Sequence, residues 1–210
     1  MTVESQARKP KCKKIGVIIY DDFETLDVFG PVQMWGRLPD HEVVFVSEDG
    51  RPVRSAQGFS TPAAFSFETV PQLTVLMVPG GQGSRTQVDN LAMLTFLQRQ
   101  SRDTEWTISV CTGSALLAKA GILDEREATT NKVAFEWVSG QSERVRWRRK
   151  ARWVSDGKFM TSSGVSAGTD LALAFVEKLH GRKMAENVAK TAEYRWNDDP
   201  GDDPFADVAR

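Results

Sequence analysis

The sequence predicts an α/β fold: a doubly wound, mostly parallel sheet with helices on both faces. Three observations carry this. Apolar runs of strand length recur at residues 15–20, 73–78 and 106–110, the pattern of strands buried on both faces. Stretches of helical periodicity lie between them, so strand and helix alternate. The segments after three of these strands, 21–27, 79–81 and 111–114, are polar or glycine-rich. In such sheets ligands bind beyond the carboxyl ends of the strands.

The first strand, 15–20, is followed by a loop and by a helix over 25–36, which the Gly30-Pro31 pair should interrupt or restart. A second strand covers 42–47. Asp49-Gly50 turns the chain, and 52–55 with 59–61 reads as a small hairpin. The strand 73–78 ends in Pro79-Gly80-Gly81, and helical spacing returns over 91–99. The unit 106–120 reads as a buried strand, a tight turn at Cys111 and a helix closed by Gly121. A short strand is expected at 128–130 and a helix at 132–138. Residues 144–148 alternate with period two. Asp156-Gly157 joins 151–154 to 159–162 as a hairpin. Helices over 171–179 and 184–196 complete the order.

Length and composition bound the function. A chain of 210 residues buries one substantial core. The single domain is placed at 14–196, with a polar tail at 1–13 that lacks the apolar core of a secretory signal and an acidic tail at 197–210. A formal charge of −1 offers no overall attraction to nucleic acid or to a membrane surface, so neither partner is expected. No apolar run approaches the roughly 18 residues of a membrane span. Two cysteines, Cys12 and Cys111, make no disulfide framework, which fits a cytoplasmic location.

Cys111 is the candidate nucleophile. A thiol on a strand-to-helix turn sits above a helix N-terminus, where unpaired N–H groups favour an anion and a low-titrating thiol is expected. The alternative is a buried structural cysteine. Asp27 is the candidate acid/base: flanked by Leu26 and Val28, its carboxyl should titrate high. Capping alone would also explain an aspartate there. The N–H groups of Thr112 and Gly81 are candidate oxyanion donors. Phe29, Trp35 and Val165 are candidates for an apolar substrate wall, with core packing as the alternative for each. His41 and His180 flank no strand end beside Cys111, so a Cys–His dyad finds no histidine. Two separated histidines and two separated cysteines make no zinc spacing, so no metal is expected. Gly80-Gly81 is too little to name a cofactor, and none is expected. The basic residues of 144–152, interleaved with Trp147 and Trp153, resemble a nucleic-acid stripe but are assigned to the wet face of an edge strand, with contact to the acidic tail or to an oligomer partner as a variant.

Taken together, Val78-Pro79-Gly80-Gly81, Val110-Cys111-Thr112-Gly113-Ser114, Gly121-Ile122-Leu123, Ala128-Thr129-Thr130 and the run Ser163 to Asp170 resemble the ThiJ/PfpI superfamily. The resemblance spans about 14–196 and implies a flavodoxin-like, glutamine-amidotransferase-like fold with the cysteine on a nucleophile elbow. Leu26-Asp27-Val28-Phe29-Gly30-Pro31 and Ser109 to Ser114 are most similar to the branch whose members hydrate isocyanides. That likeness implies Cys111 as nucleophile, Asp27 as acid/base and the Thr112 hydroxyl bonded to the reactive region. It also implies a small-molecule substrate and a homodimer. The branch's Ala-Thr-Thr-His is Ala128-Thr129-Thr130-Asn131 here, and Ser162-Ser163 stands where the branch is richer in glycine. Thr112 in place of histidine counts against the peptidase branch. The rival readings are a redox or electrophile sensor built on Cys111, and a ligand-binding regulatory domain.

Overall fold

The structure, a computed structural model, describes residues 12–207. In chain order the first elements are β1 (Lys13–Ile18), α1 (Thr25–Trp35), β2 (His41–Ser47), β3 (Val53–Arg54), β4 (Ser60–Thr61), β5 (Phe65–Ser66) and β6 (Val75–Val78). Then follow α2 (Ser84–Gln87), α3 (Leu91–Asp103), β7 (Trp106–Ser109), α4 (Gly113–Lys119), β8 (Glu127–Ala128), α5 (Phe135–Ser139) and β9 (Arg146–Trp147). The chain closes with β10 (Trp153–Asp156), β11 (Phe159–Ser162), α6 (Ala167–His180) and α7 (Arg182–Thr191).

Seven strands form the main sheet in the order β10-β11-β7-β6-β1-β2-β5. Every neighbouring pair is parallel except the β10–β11 hairpin at the edge. β1, β6 and β7 lie side by side in the middle, and their residues Ile15, Val17, Val75, Leu76, Met77 and Ile108 are fully buried. From β1 the chain goes first to β2 on one side, then crosses to β6 on the other. The reversal of strand order therefore falls between β1 and β6, where a parallel sheet opens a crevice.

The structure changes several sequence-based expectations. α1 runs unbroken through Pro31. Proline there removes one i→i−4 bond, the one to the Asp27 carbonyl, and α1 keeps its course by packing against α6. Gly30 permits that contact, since a Cβ on it would lie 2.5 Å from Thr169 Oγ1. α7 ends at Thr191 rather than continuing to 196, because the following residues bend over Asp170. The basic residues do not form one face. Arg144, Arg146, Arg148 and Arg149 are exposed and paired with Asp124, Asp156, Glu127 and Glu136, and β9 pairs with β8 in a separate two-stranded sheet. Arg152 turns inward, and its Nε donates to Asp170 Oδ2 at 2.8 Å.

The acidic stretch after Trp196 lies against the sheet edge over its described part. The Arg152 backbone N–H donates to the Pro200 carbonyl at 2.8 Å. Asp203 is buried, its carboxylate 3.5 Å from both Lys132 Nζ and Arg152 Nη1. At the other end, residues 1–11 lie outside the described part of the chain, while Cys12 is exposed and Lys13 already belongs to β1. Among the described residues no helix is long and apolar enough to cross a membrane.

Candidate active site

Three segments meet where β1, β6 and β7 end. Cys111 stands between β7 and α4 with φ of +55°, a left-handed conformation uncommon outside glycine. Its backbone is held on both sides. The N–H donates to the Ser163 carbonyl at 3.1 Å, and the carbonyl accepts from Ser114 Oγ at 3.0 Å and Thr130 Oγ1 at 2.9 Å. Backbone strain of this kind persists only where the surroundings over-determine it, and it clusters at functional sites. Gly113 lets the turn pass the end of β6: a Cβ there would lie 2.2 Å from the Val78 carbonyl oxygen.

Asp27 lies in the first turns of α1 and is 0% exposed. Its Oδ2 accepts the Gly80 N–H at 2.8 Å, whereas buried Oδ1 makes no hydrogen bond. A Cβ on Gly80 would come within 2.5 Å of Thr112 N and 2.9 Å of Asp27 Oδ2, so this approach requires glycine. Burial pushes the Asp27 carboxyl well above the usual range. The Gly80 N–H works against that, and the Glu24 charge reinforces it.

Burial likewise pushes the Cys111 thiol up, with the Asp27 charge as the second cause. The backbone N–H groups of Thr112 and Val165 and the Asn131 side chain oppose this. The expectation of a low-titrating thiol is thus corrected. The helix end is present, but α4 is only seven residues long, and burial together with a second acid outweighs it. Tyr20 borders both groups. Its hydroxyl donates to the Pro79 carbonyl at 2.6 Å and stays protonated, raised by burial and then by the two acids.

The predicted residues separate into those the fold brings together and those it does not. Cys111, Asp27, Thr112, Gly81 and Val165 converge. The Gly81 N–H is already engaged, donating to Thr112 Oγ1 at 3.0 Å, with Ser84 Oγ donating to the same oxygen at 2.9 Å. Gly81 is therefore not a free donor. The free pair of N–H groups facing the thiol belongs to Thr112 and Val165. Val165 also has positive φ, +46°, and its N–H faces Asp27 as well. Trp35 is 0% exposed and lies in the core: its ring meets Phe175 edge-on and its Nε1 donates to the Ala172 carbonyl. Phe29 is 38% exposed on the outer side of α1, against Phe45. Neither lines the cavity over Cys111.

From sequence Asn131 reads only as a departure from a motif. Its Oδ1 accepts the Ala134 N–H at 3.0 Å, which turns the amide NH2 toward Gly164 and the thiol. The clue was its place directly after Thr130. Tyr20 carried no signal, since it ends an apolar strand like any core residue.

A cavity of about 240 Å³ opens over Cys111, bordered by Glu24, Arg85, Asn131, Val133 and Val165. It is smaller than the roughly 300–1,000 Å³ of sites for drug-sized ligands, so it suits a small substrate. A larger depression, about 630 Å³ beside Phe67, Leu91 and Arg99, shares no residue with it and contains no thiol. The arrangement can therefore present sulfur to a small electrophile and move one proton at Asp27.

Residues 13–178 match the model of the DJ-1/PfpI family. The chain is 33% identical over 181 residues to isonitrile hydratase of Pseudomonas putida, covering 86% of this chain and 78% of that protein. It is 28% identical over 198 residues to the HTH-type transcriptional regulator GbdR of Pseudomonas aeruginosa, 91% of this chain but only 53% of the regulator. Among solved structures, a ThiJ/PfpI family protein from Pseudomonas syringae superposes with a TM-score of 0.81 at 28% identity, covering 98% of this chain and 84% of that one. Drosophila melanogaster DJ-1beta superposes at 0.77 with 21% identity, over 88% and 99% of the two chains, a likeness of fold. The chain belongs to the DJ-1/PfpI family.

Proposed function

We propose that this protein hydrates small isocyanides to N-substituted formamides, with Cys111 as nucleophile and Asp27 as acid/base. The observation that carries the reading is a strained cysteine on the wall of a small cavity, with a fully buried aspartate from a separate segment beside it. The similarity to isonitrile hydratase supports the choice of substrate class.

In this mechanism Cys111 and Asp27 share one proton, because two adjacent buried acids do not both ionise. The sulfur attacks the terminal carbon of R–N≡C while Asp27 delivers the proton to that carbon, giving the thioimidate R–N=CH–S–Cys111. Water then adds to the same carbon, one of its protons passing to nitrogen. Collapse forms R–NH–CHO and expels the sulfur, and the second water proton returns to the Cys111–Asp27 pair. Covalent catalysis divides one difficult hydration into two additions. The N–H groups of Thr112 and Val165 hold charge on sulfur, and Asn131 adds a third donor.

Formamide formation by wild type, Cys111→Ala and Asp27→Asn tests this. Cys111→Ala should abolish turnover. Asp27→Asn should lower it by about 10²–10⁴, the usual range for a lost general acid–base. An inactive wild type, or a fully active Asp27→Asn, refutes the assignment. The similarity to GbdR favours a second reading, a ligand-sensing domain in which the same cavity binds without turnover. Saturable isocyanide binding with no formamide would select it.

A further inference from the structure

The chain contains two histidines, and the fold brings both to one aspartate. His41 opens β2, next to Asp40 in the preceding turn, and His180 closes α6. His41 Nδ1 lies 2.7 Å from Asp40 Oδ1, and His180 Nε2 lies 3.4 Å from the same oxygen. The rings stand edge to face, their centroids 6.0 Å apart. His180 Nε2 is shielded from solvent and makes no hydrogen bond. One donor atom from each of the three residues lies within 4.8 Å of the others.

We infer that Asp40, His41 and His180 form a binding site for one first-row divalent cation of the zinc type. Two imidazoles and a carboxylate suit zinc and its neighbours, while magnesium and calcium prefer oxygen alone. Zinc bonds of roughly 2.0–2.1 Å in tetrahedral geometry place donors about 3.3 Å apart, and the two spacings to Asp40 bracket that value. The imidazoles need only a small closure. Three protein ligands leave a fourth position for water, reached past the exposed side of Asp40. The carboxyl end of α6 adds the negative end of a helix dipole. On binding, the proton between His41 Nδ1 and Asp40 moves to the other ring nitrogen or to solvent.

The site is separate from the proposed catalytic chemistry. His41 pairs with Lys13 at the amino ends of the parallel strands, whereas Cys111 lies beyond their carboxyl ends. The bound ion would pin the start of β2 to the end of α6.

The test is zinc titration of the tag-free, metal-free full chain, read by long-range ¹H–¹⁵N spectra of the imidazoles. Only two rings report, so assignment is direct. Both should move together and saturate at one equivalent. Asp40→Asn, at an exposed position, should weaken binding by about tenfold or more, and His180→Ala should abolish the coupled response of His41. Circular dichroism checks that the variants fold, and Asp40→Asn keeps the test decisive if His180→Ala does not. Rings that stay still, because zinc goes to Cys12 or Cys111 or to nothing, overturn the site. Movement of one ring alone overturns it equally.

Discussion

At Cys111 and Asp27 two acids sit side by side out of water: burial raises both, the Asp27 charge raises the thiol further, and hydrogen bonding to Cys111 works against the rise at Asp27. Asp27→Asn removes the charge that is the second cause of the raised thiol. The pH profile of Cys111 alkylation should therefore move to lower pH in that variant, measured by mass spectrometry with exposed Cys12 monitoring the reagent. A profile that stays put or moves up contradicts the pairing. The same carboxyl has a stability signature. Its folded pKa lies above the unfolded value of about 3.9, so the folded state holds a proton that the unfolded chain releases. Stability attributable to Asp27 is then present below that pH and lost as pH rises through the folded pKa. Asparagine does not titrate, so Asp27→Asn should gain on wild type in urea midpoints as pH rises from about 4 toward the folded pKa. A constant difference across that range would remove the basis for a raised Asp27.

Among the elements, the close passage of α4 past the end of β6 sets the geometry of the cysteine turn. Gly113 begins α4 where a side chain would strike the Val78 and Pro79 carbonyl oxygens. Backbone at the end of a central strand cannot yield, so Gly113→Ala should destabilise by about 1–3 kcal/mol, the usual result of overpacking. It should also displace the thiol and reduce turnover. Chemical denaturation and the formamide assay on one sample check both, and an unperturbed variant would mean the turn is looser than described. α1 belongs to the same argument. Gly30 and Pro31 read from sequence as an interruption, yet they mark the face that lies against α6.

Across the whole molecule the far sheet edge is closed by charge. Asp170, in the first turn of α6, accepts from Arg152, Tyr194 Oη and the Asn197 N–H, so one carboxylate gathers β10's approach, the end of α7 and the C-terminal stretch. Asp203 supplies the second carboxylate to Arg152 and the first to Lys132. Removing one partner of a buried pair leaves the other unpaired, and Asp170→Ala should lower unfolding stability by about 3–5 kcal/mol. The Asp170→Leu, Arg152→Met double variant should lose less, because neither member of that pair is then stranded and Asp203 keeps Lys132. Equal losses in urea titrations would mean that shape, and not charge pairing, holds this edge.

Local pattern was enough to read the alternation of strand and helix, the central strands, the turn at Cys111 and the aspartate after β1. Each is written in a run of neighbouring residues: continuous apolar strands, a helix closed by Gly121, glycines at strand ends. What depended on residues far apart in the chain was not legible. Trp35 could be wall or core until α6 packed on α1, and Gly81 could be a free donor until Thr112 took its N–H. Helix-end electrostatics predicted a low thiol, whereas burial and a second acid from another segment push it up. The stretch after Trp196 reads from sequence only as an acidic tail, and composition does not show which of its carboxylates meets Arg152 and Lys132. His41 and His180 had no ligand spacing in sequence, and only the return of α6 to the start of β2 places them together. Sequence determined the alternation of strand and helix and the central strands, because those are written in runs of neighbouring residues. Tertiary structure decided which polar groups meet and which are sealed from water, because burial and charge pairing are properties of the packed chain.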